Sequence, residues 1–339
     1  MRSERVLDVY ATAPPPVNGQ AANGAPLACA ARWAEAADLS GLLIFTDNSA
    51  VDPWLAAQYL LERSERLVPL VAVQPVYMHP FTAARMVCTL SALYGRRIDL
   101  NLVAGGYTPD QRALGALLPH DERYERLVEY GRVMAELLEP GRKVTHRGKY
   151  YTQGPTVLQP ALPEGLRPRV FLAGASPACA RAVLELGCEQ LTYPRAIEEY
   201  REQPDALDGV GIRIGVIARE SSGQAWEVAR RRFPPQPRNE AVNLLSMQSV
   251  DAQWQNRIWD DSERRHAMED VYWLHPFRVS QEFCPFLVGD YDEVAERLAQ
   301  YLGLGVGTLI LSAPHDEDDI HHAMTAVRRA ERLAGARAG

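Results

Sequence analysis

Short apolar segments alternate with segments of helical periodicity along nearly the whole chain of 339 residues. Continuously apolar strands are typical of a parallel sheet that helices cover on both faces. Eight such strands are predicted, at residues 6–10, 41–45, 66–75, 97–106, 169–174, 189–193, 211–219 and 308–314. Eight strand–helix units favour an α/β fold of the closed (β/α)8 or TIM-barrel type. An open doubly wound sheet is the alternative, but its G-x-G-x-x-G turn does not follow the first strand.

Residues 233–285 interrupt this alternation between the seventh and eighth predicted strands. The segment mixes proline, charged residues and tryptophan. Because an insertion at the carboxyl end of a barrel strand lies over the active site, we interpret it as a lid. An extra pair of helices on the barrel wall is the alternative. The sequence thus predicts one TIM-barrel domain over residues 1–339, with the 233–285 lid inserted in it.

The composition excludes several classes of partner. Lysine and arginine number 36 against 43 aspartate and glutamate residues, a net charge of −7. A mildly acidic chain without a basic stripe is poorly suited to nucleic acid. No apolar run approaches the roughly 18 residues of a membrane helix, and the first ten residues lack a signal peptide's apolar stretch. We therefore expect a cytoplasmic protein with neither nucleic-acid nor membrane partners.

The five cysteines are an odd number and contain no C-x-x-C pair. This spacing is not that of a disulfide framework or a zinc site. We therefore expect mostly reduced, partly buried thiols and no metal site.

Six segments carry motifs that can be compared with known families. They are HPFTAARMVCTLSALYGRRIDLNLVAGG (79–106), HDERYERLVEY (120–130), GKYY (148–151), FLAGASPACARAVLELG (171–187), GIRIGVIARES (211–221) and GVGTLILSAPH (305–315). Together, in this order and spacing, they resemble the bacterial luciferase-like flavin monooxygenases, most closely the alkanesulfonate monooxygenase branch. The resemblance implies a barrel that binds reduced FMN (FMNH2) and activates O2 as a flavin hydroperoxide, which oxidises a small-molecule substrate. It also implies a separate NAD(P)H-dependent flavin reductase, which supplies FMNH2, and a homodimer or homotetramer.

Two segments are candidates for binding the flavin phosphate. His120 and Tyr124 are four residues apart and share one helix face, and the family uses such a pair to hold the phosphate and ribityl chain. Ser176 is placed to cap a helix, and the small residues Gly174 and Ala175 would let a phosphate approach its N-terminus. The alternatives are a capping histidine with a core tyrosine, and a turn that serves only to cap the helix.

Three further positions are candidates for contacts with the flavin. Asn101 lies near the end of the fourth strand, where the family commonly has an asparagine beside the isoalloxazine ring. The family has threonine three positions later, where this chain has Ala104, so one polar contact is absent or supplied differently. Asp47 follows the second strand at a rim position that contacts flavin or substrate in the family. A simple turn-forming role is the equal alternative for Asp47.

Arg213 is a cation inside an apolar strand, so we expect it to face the barrel mouth and meet an anion. No acidic residue lies at period-two spacing in its own strand. We therefore expect flavin, peroxide or substrate as its partner rather than a fixed carboxylate. A carboxylate from a neighbouring strand is the alternative. The resemblance places Arg213 near the substrate, and His315 is retained as a possible proton shuttle. Arg213, His315 and Asn101 are the candidate catalytic residues.

Several residues depart from the alkanesulfonate branch. Gly215 replaces a histidine, Ala50 a cysteine and Ala313 a tyrosine, and residues 11–19 lack the histidine expected after the first strand. Because the residues that would bind a sulfonate are largely replaced, we expect a larger or less anionic substrate.

Three alternative functions remain open from the sequence. An F420-dependent (deazaflavin) hydride-transfer enzyme shares the same barrel, and cofactor binding would distinguish it. A non-catalytic flavin-binding homologue would explain the replaced residues. A phosphate-handling barrel isomerase would bind a phosphosugar at residues 173–177 and show no affinity for flavin.

Overall fold

The computed structural model describes most of the chain. The described residues are 7–14, 24–46, 51–105, 108–203, 206–236, 253–264 and 270–338. The strands in these ranges are β1 (Asp8–Thr12), β2 (Gly41–Ile44), β3 (Val68–Val73), β4 (Asp99–Val103), β5 (Lys143–Arg147), β6 (Thr152–Val157), β7 (Val170–Ala173), β8 (Glu189–Thr192), β9 (Gly211–Arg219), β10 (Tyr272–Trp273), β11 (Phe286–Asp290) and β12 (Thr308–Ser312).

Eight of these strands form a closed parallel barrel. Their order is β9-β12-β1-β2-β3-β4-β7-β8, and pairing between β8 and β9 completes the ring. Each of the eight predicted strands corresponds to one of these barrel strands, so the predicted (β/α)8 fold is confirmed. The long strand β9 pairs with β8 near its start and with β11 along its second half, where Gly215 is in register with Phe286. The short strand β10 pairs antiparallel to β11.

The helices follow the strands in the expected alternation. They are α1 (Ala25–Ala36), α2 (Pro53–Glu62), α3 (Pro80–Tyr94), α4 (Thr108–Ala113), α5 (His120–Leu137), α6 (Pro177–Leu186), α7 (Ser222–Arg232), α8 (Gln253–Arg264), α9 (His275–Arg278), α10 (Tyr291–Gly303) and α11 (Glu317–Ala338). Local sequence explains where several begin. Proline occupies the first turn of α2, α3 and α6, where a missing N–H costs no hydrogen bond. Asp290 and Glu293 form a capping box at the start of α10.

The described residues group into two compact units. One unit comprises Met1–Thr12, Ala36–Ser40 and Leu191–Gly339, and the other comprises Ala13–Glu35 and Gly41–Gln190. In the second unit, α5 buries the apolar stripe that its 3.6-residue periodicity predicts. In the first, an aromatic cluster that includes Trp226, Phe233 and Phe286 is buried beside β9.

Two features were not predicted from the sequence. The antiparallel hairpin β5–β6 has a mostly exposed, polar pattern, so it lacks the apolar run that marks a barrel strand. Strand β11 extends the sheet outside the eight-stranded ring. Of the predicted 233–285 insertion, the described parts contain α8, β10 and α9, whereas residues 237–252 and 265–269 lie outside the described ranges.

The cysteines and the longer helices of the described ranges bear on the expected thiol state and membrane association. All five cysteines are free, and three of them are buried. Within the described ranges, no helix has the length and apolar character to cross a membrane. In the same ranges, no group of three or more His, Cys, Asp or Glu residues is arranged to hold a metal ion.

Candidate functional site

Gly174 and Ser176 shape the turn between β7 and α6. The Ser176 hydroxyl accepts a hydrogen bond from the backbone N–H of Cys179 at 3.2 Å, which caps α6 as predicted. Gly174 has a φ of +150°, and a Cβ there would lie 2.6 Å from the Tyr124 hydroxyl. Glycine therefore permits a close approach between this turn and the phenol of Tyr124.

His120 and Tyr124 lie on α5 beside this turn. Their ring centroids are 5.1 Å apart, and the Tyr124 phenol lies close enough to Ser176 for the serine side chain to influence its pKa. Burial, reinforced by the neighbouring Cys179, raises the pKa of Tyr124, so the phenol stays protonated and can donate a hydrogen bond. The structure therefore brings together four of the predicted residues, His120, Tyr124, Gly174 and Ser176, which we call the Tyr124 cluster. Ala175 lies between Gly174 and Ser176 in the same turn.

The imidazole of His120 also contacts a carboxylate. Its Nδ1 lies 2.7 Å from Oδ1 of Asp121, and the hydrogen bond from His120 lowers the pKa of this carboxyl group. Because Nδ1 is engaged in this way, Nε2 is the ring nitrogen through which His120 can contact a ligand.

A groove of about 560 Å³ lies beside Tyr124, bounded by α5, α6 and the loop of the β5–β6 hairpin. Several of its cations are paired with carboxylates. Lys149 contacts Glu122 at 3.3 Å and Glu125 at 2.9 Å, and Arg181 contacts Asp121 at 3.1 Å. The groove therefore offers a balanced set of charges rather than a strongly cationic surface.

Strand β4 and the following segment carry buried polar groups. Asn101 is buried, and its Oδ1 has no hydrogen-bond partner among the described residues. Ala104 is buried close by in sequence. Gln111 on α4 is also buried: its Nε2 donates to the carbonyl of Gly105 at 2.5 Å, whereas its Oε1 lacks a partner in the described part of the chain. Unpaired buried acceptors are costly unless a ligand supplies a donor.

These acceptors fit a flavin, whose ring carries N–H donors and whose phosphate suits the Tyr124 cluster. Sequence reasoning identified Asn101 but missed Gln111, because a single glutamine in a short polar helix carries no recognisable signal. Asp47, the remaining predicted flavin contact, lies outside the described residues, as does Ala50.

Arg213 is buried in β9, and its partners correct one prediction. Its Nη2 lies 3.5 Å from Oε2 of Glu282, and its Nε and Nη2 donate to the Ser312 hydroxyl at 3.0 and 2.9 Å. Nη1 donates to the Tyr193 hydroxyl at 3.4 Å. The expectation that Arg213 has no fixed carboxylate partner is therefore wrong. The carboxylate comes from a residue 69 positions away, just before β11, where periodicity within β9 could not reveal it.

Glu282 and Cys284 lie near the guanidinium group and have little exposure to solvent. Burial raises the pKa of Glu282, although Arg213 and a hydrogen bond from Ser312 act in the opposite direction. Burial also raises the pKa of the Cys284 thiol to about 12, so this cysteine is a neutral thiol at physiological pH. We call Tyr193, Arg213, Glu282, Cys284 and Ser312 the Arg213 cluster.

Gly215 lies two residues after Arg213, at the position where the alkanesulfonate monooxygenase branch has a histidine. A Cβ at Gly215 would overlap the aromatic ring of Phe286, and the Gly215 N–H donates to the Pro285 carbonyl at 2.9 Å. The Phe286 ring therefore occupies the space that a larger residue would need, which gives a physical reason for the glycine.

His315 lies after β12, with a side chain that is 71% exposed. Its ring is 3.6 Å from Asp316, while its backbone N–H donates to the buried Asp319 at 3.0 Å. Asp319 also pairs with Arg219 at 2.6 Å and with Arg232. The structure thus holds the backbone of His315 in an ion-pair network and leaves its imidazole at the surface.

A closed (β/α)8 barrel with polar clusters on its strands and on the turns after them is typical of enzymes. The sequence profile of the family described as luciferase-like monooxygenase matches residues 9–308. Since the match spans most of the chain, the protein belongs to the luciferase-like monooxygenase family and is an enzyme of the monooxygenase class.

Relatives support the same assignment. Over 299 residues the chain is 33% identical to BtrO of Niallia circulans, a 4-(gamma-L-glutamylamino)butanoyl-(BtrI acyl-carrier protein) monooxygenase, covering 86% of this chain and 87% of the relative. The structure is similar to EDTA monooxygenase from Chelativorans sp. BNC1, with a TM-score of 0.73, 16% identity and coverage of 98% and 94% of the two chains. It is also similar to the oxygenating constituent of 3,6-diketocamphane monooxygenase from Pseudomonas putida in complex with FMN, with a TM-score of 0.69, 17% identity and 98% coverage of each chain. At these identities the structural likenesses concern the fold.

Proposed function

We propose that the protein is a two-component monooxygenase that uses FMNH2 and O2 to oxidise an organic substrate. The observation that carries this proposal is the Tyr124 cluster, in which a buried phenol, an imidazole and a capped helix N-terminus converge on one turn. This combination of hydrogen-bond donors and a helix dipole suits a phosphate group. Reduced FMN, when bound, supplies the electrons that activate O2.

The residues have separate roles in this proposal. His120, Tyr124 and Ser176 hold the phosphate, with Gly174 and Ala175 leaving room for it. Asn101 accepts a hydrogen bond from a ring N–H of the flavin, Ala104 leaves space for the ring, and Asp47 contacts flavin or substrate at the rim. Arg213, held by Glu282 and Ser312, orients the reacting part of the substrate through hydrogen bonds, and His315 transfers protons at the surface.

The reduced cofactor comes from an NAD(P)H-dependent flavin reductase, because the sequence carries no dinucleotide-binding fingerprint. We place the enzyme in the cytoplasm as a homodimer or homotetramer. Residues 233–285 serve as a lid on the single barrel domain, and Glu282, near the end of this segment, reaches Arg213. Limited proteolysis tests the lid: cleavage in this segment slows when flavin and substrate are bound, and unchanged rates would make it a static wall element.

An acyl group carried on a carrier protein is the substrate class to test first. The support is the 33% identity to BtrO, whose name gives such a substrate. Because a carrier delivers the acyl chain, the enzyme would need no anionic head group for capture, which agrees with the departures from the alkanesulfonate branch.

Turnover with an unrelated flavin reductase, NAD(P)H and ¹⁸O2 tests the proposal. Acyl-carrier substrates should gain one ¹⁸O atom, and omission of the reductase should abolish the reaction. Reduction of FMN by this protein with NAD(P)H alone would contradict the two-component scheme. Activity with reduced F420 in place of FMNH2 would favour the deazaflavin alternative.

A further inference from the structure

The guanidinium group of Arg213 is already paired with an anionic side chain of the protein itself. Glu282 Oε2 lies 3.5 Å from its Nη2, and the two side chains are 10% and 12% exposed. The Ser312 hydroxyl joins them, because it accepts from Arg213 at 2.9 Å and donates to Glu282 Oε2 at 3.2 Å. The carboxylate thus lies where an anionic ligand of Arg213 would bind.

Because this ion pair is largely buried, it weakens the binding of any other anion to Arg213. A carboxylate beside a guanidinium in a low-dielectric environment neutralises most of the attraction that the guanidinium would exert on a second anion. An incoming sulfonate, phosphate or carboxylate would have to displace Glu282 and leave it buried without its partner. Such a penalty is a common source of specificity against one class of ligand.

The residues that follow Arg213 and Glu282 in sequence are also closely packed. The segment that carries Glu282 continues into β11, where the Phe286 ring fills the space above Gly215. Cys284, between them, is fully buried and neutral at physiological pH. Apolar and neutral groups around a compensated arginine favour an uncharged ligand.

We propose that Glu282 is a specificity-determining residue that excludes anionic head groups from Arg213, so that the part of the substrate bound there is uncharged. This inference rests on the proposed function, in which Arg213 faces the substrate. Glu282 acts through Arg213 and is therefore a positioning residue rather than a catalytic one.

Anion binding without any cofactor tests the proposal. Sodium methanesulfonate is titrated at constant ionic strength into the wild type, Glu282→Ala, and the double variant Arg213→Ala/Glu282→Ala, with calorimetry and thermal shift as readouts. The wild type should show no saturable binding. Glu282→Ala removes the carboxylate and opens space, so its affinity should rise by about tenfold or more. The double variant should lose that gain, because it lacks the guanidinium.

Glu282→Asp is the matched control, since it keeps the charge and shortens the side chain by one methylene group. It should bind methanesulfonate as poorly as the wild type. Saturable, Arg213-dependent binding to the wild type would overturn the proposal, and so would a folded Glu282→Ala variant that does not bind the anion. If Glu282→Ala does not fold alone, it is refolded with and without methanesulfonate. Recovery with the anion supports the proposal, and failure in both conditions contradicts it.

These measurements separate the proposal from the proposed function. A protein that gains anion binding through Glu282→Ala but shows no FMNH2-dependent oxygenation would retain the charge-exclusion role and lose the assigned chemistry. The reverse result would leave the monooxygenase assignment intact and reject the role of Glu282.

Discussion

In the proposed function, the Tyr124 cluster favours the binding of an anion, whereas the Arg213 cluster excludes one. The first places hydrogen-bond donors around a helix N-terminus, and Gly174 leaves room beside them. The second surrounds a cation with its own carboxylate, Glu282, and a shared hydroxyl, Ser312. A site for a phosphate can be assembled from dipoles without a buried charge. A buried charge, by contrast, requires compensation, and the compensating group then limits which ligands can bind.

The largest effect is expected for Arg213→Ala, which removes the cation of the Arg213 cluster. Turnover should fall by about tenfold or more, roughly 1.4 kcal/mol in the barrier. Stability should also fall, by up to about 3 kcal/mol, because Glu282 is left buried without its partner. Chemical denaturation and FMNH2-dependent product formation are measured on one preparation.

Two further variants separate the effect on stability from the effect on turnover. Arg213→Ala/Glu282→Gln should regain most of the stability and none of the turnover, because the stranded charge is gone. Arg213→Lys should retain part of the activity, since an ammonium lacks the planar fork of a guanidinium. A less stable Arg213→Ala variant that turns over normally would show that the pair is purely structural.

Gly215→Ala tests how closely the Phe286 ring packs against β9 near Arg213. The added Cβ would overlap the Phe286 ring, so the variant should lose about 1–3 kcal/mol of unfolding free energy. Gly223→Ala in α7 is the control, because a Cβ there meets no atom within 4 Å. The control should be neutral or gain up to about 1 kcal/mol from the less flexible unfolded chain. Equal unfolding free energies for the two variants would reject the close packing described here.

Tyr124→Phe tests the proposed phosphate site in the Tyr124 cluster, and its expected effect on cofactor binding is smaller. Loss of one hydrogen bond should weaken FMNH2 binding by about 1 kcal/mol, roughly fivefold in Kd. Binding of riboflavin, which lacks the phosphate, should not change. Tyr130→Phe on the same helix is the control, because the Tyr130 hydroxyl is buried without a partner in the described residues. Equal losses for FMN and riboflavin would reject the assignment.

The pH dependence of stability should be the smallest effect, with opposite signs for two carboxyl groups. Burial raises the pKa of Glu282 above its ordinary value of 4.5, so its favourable contribution is present at lower pH and is lost as pH rises through the folded pKa. For Asp319, burial acts upward, but Arg232 and Arg219 outweigh it and hold the pKa below 3.8. Its contribution is present above that value and is lost as pH falls through the folded pKa.

Thermal melts between about pH 3 and 7 compare the wild type with Glu282→Gln and Asp319→Asn. With rising pH, the difference from wild type should shift in favour of Glu282→Gln and against Asp319→Asn. Parallel shifts in the two variants would contradict these signs.

The barrel and the Tyr124 cluster could be predicted because both rest on local patterns. Each barrel strand is a continuous apolar run, and Ser176 with Pro177 marks a helix start in any context. His120 and Tyr124 face the same way because they are one helical turn apart. The pairing of this helix with the turn after β7 came from the family resemblance, since the two segments are far apart in sequence.

The Arg213 cluster could not be predicted in the same way. Its hydrogen bonds join residues separated by 20, 69 and 99 positions, and no periodicity connects them. Glu282 lies near the end of a segment with an irregular pattern, so neither its burial nor its partner follows from neighbouring residues. Gln111 was missed for a similar reason, because its burial depends on tertiary packing of a short helix.

Anaerobic equilibrium titration with reduced FMN, oxidised FMN and reduced F420 tests whether the barrel is built for FMNH2. Fluorescence or calorimetry follows binding to the wild-type protein. A protein that captures a diffusible reduced flavin should bind FMNH2 more tightly than oxidised FMN and more tightly than F420. Absence of FMNH2 binding, or a clear preference for reduced F420, would contradict the assignment of this barrel as an FMNH2-dependent monooxygenase.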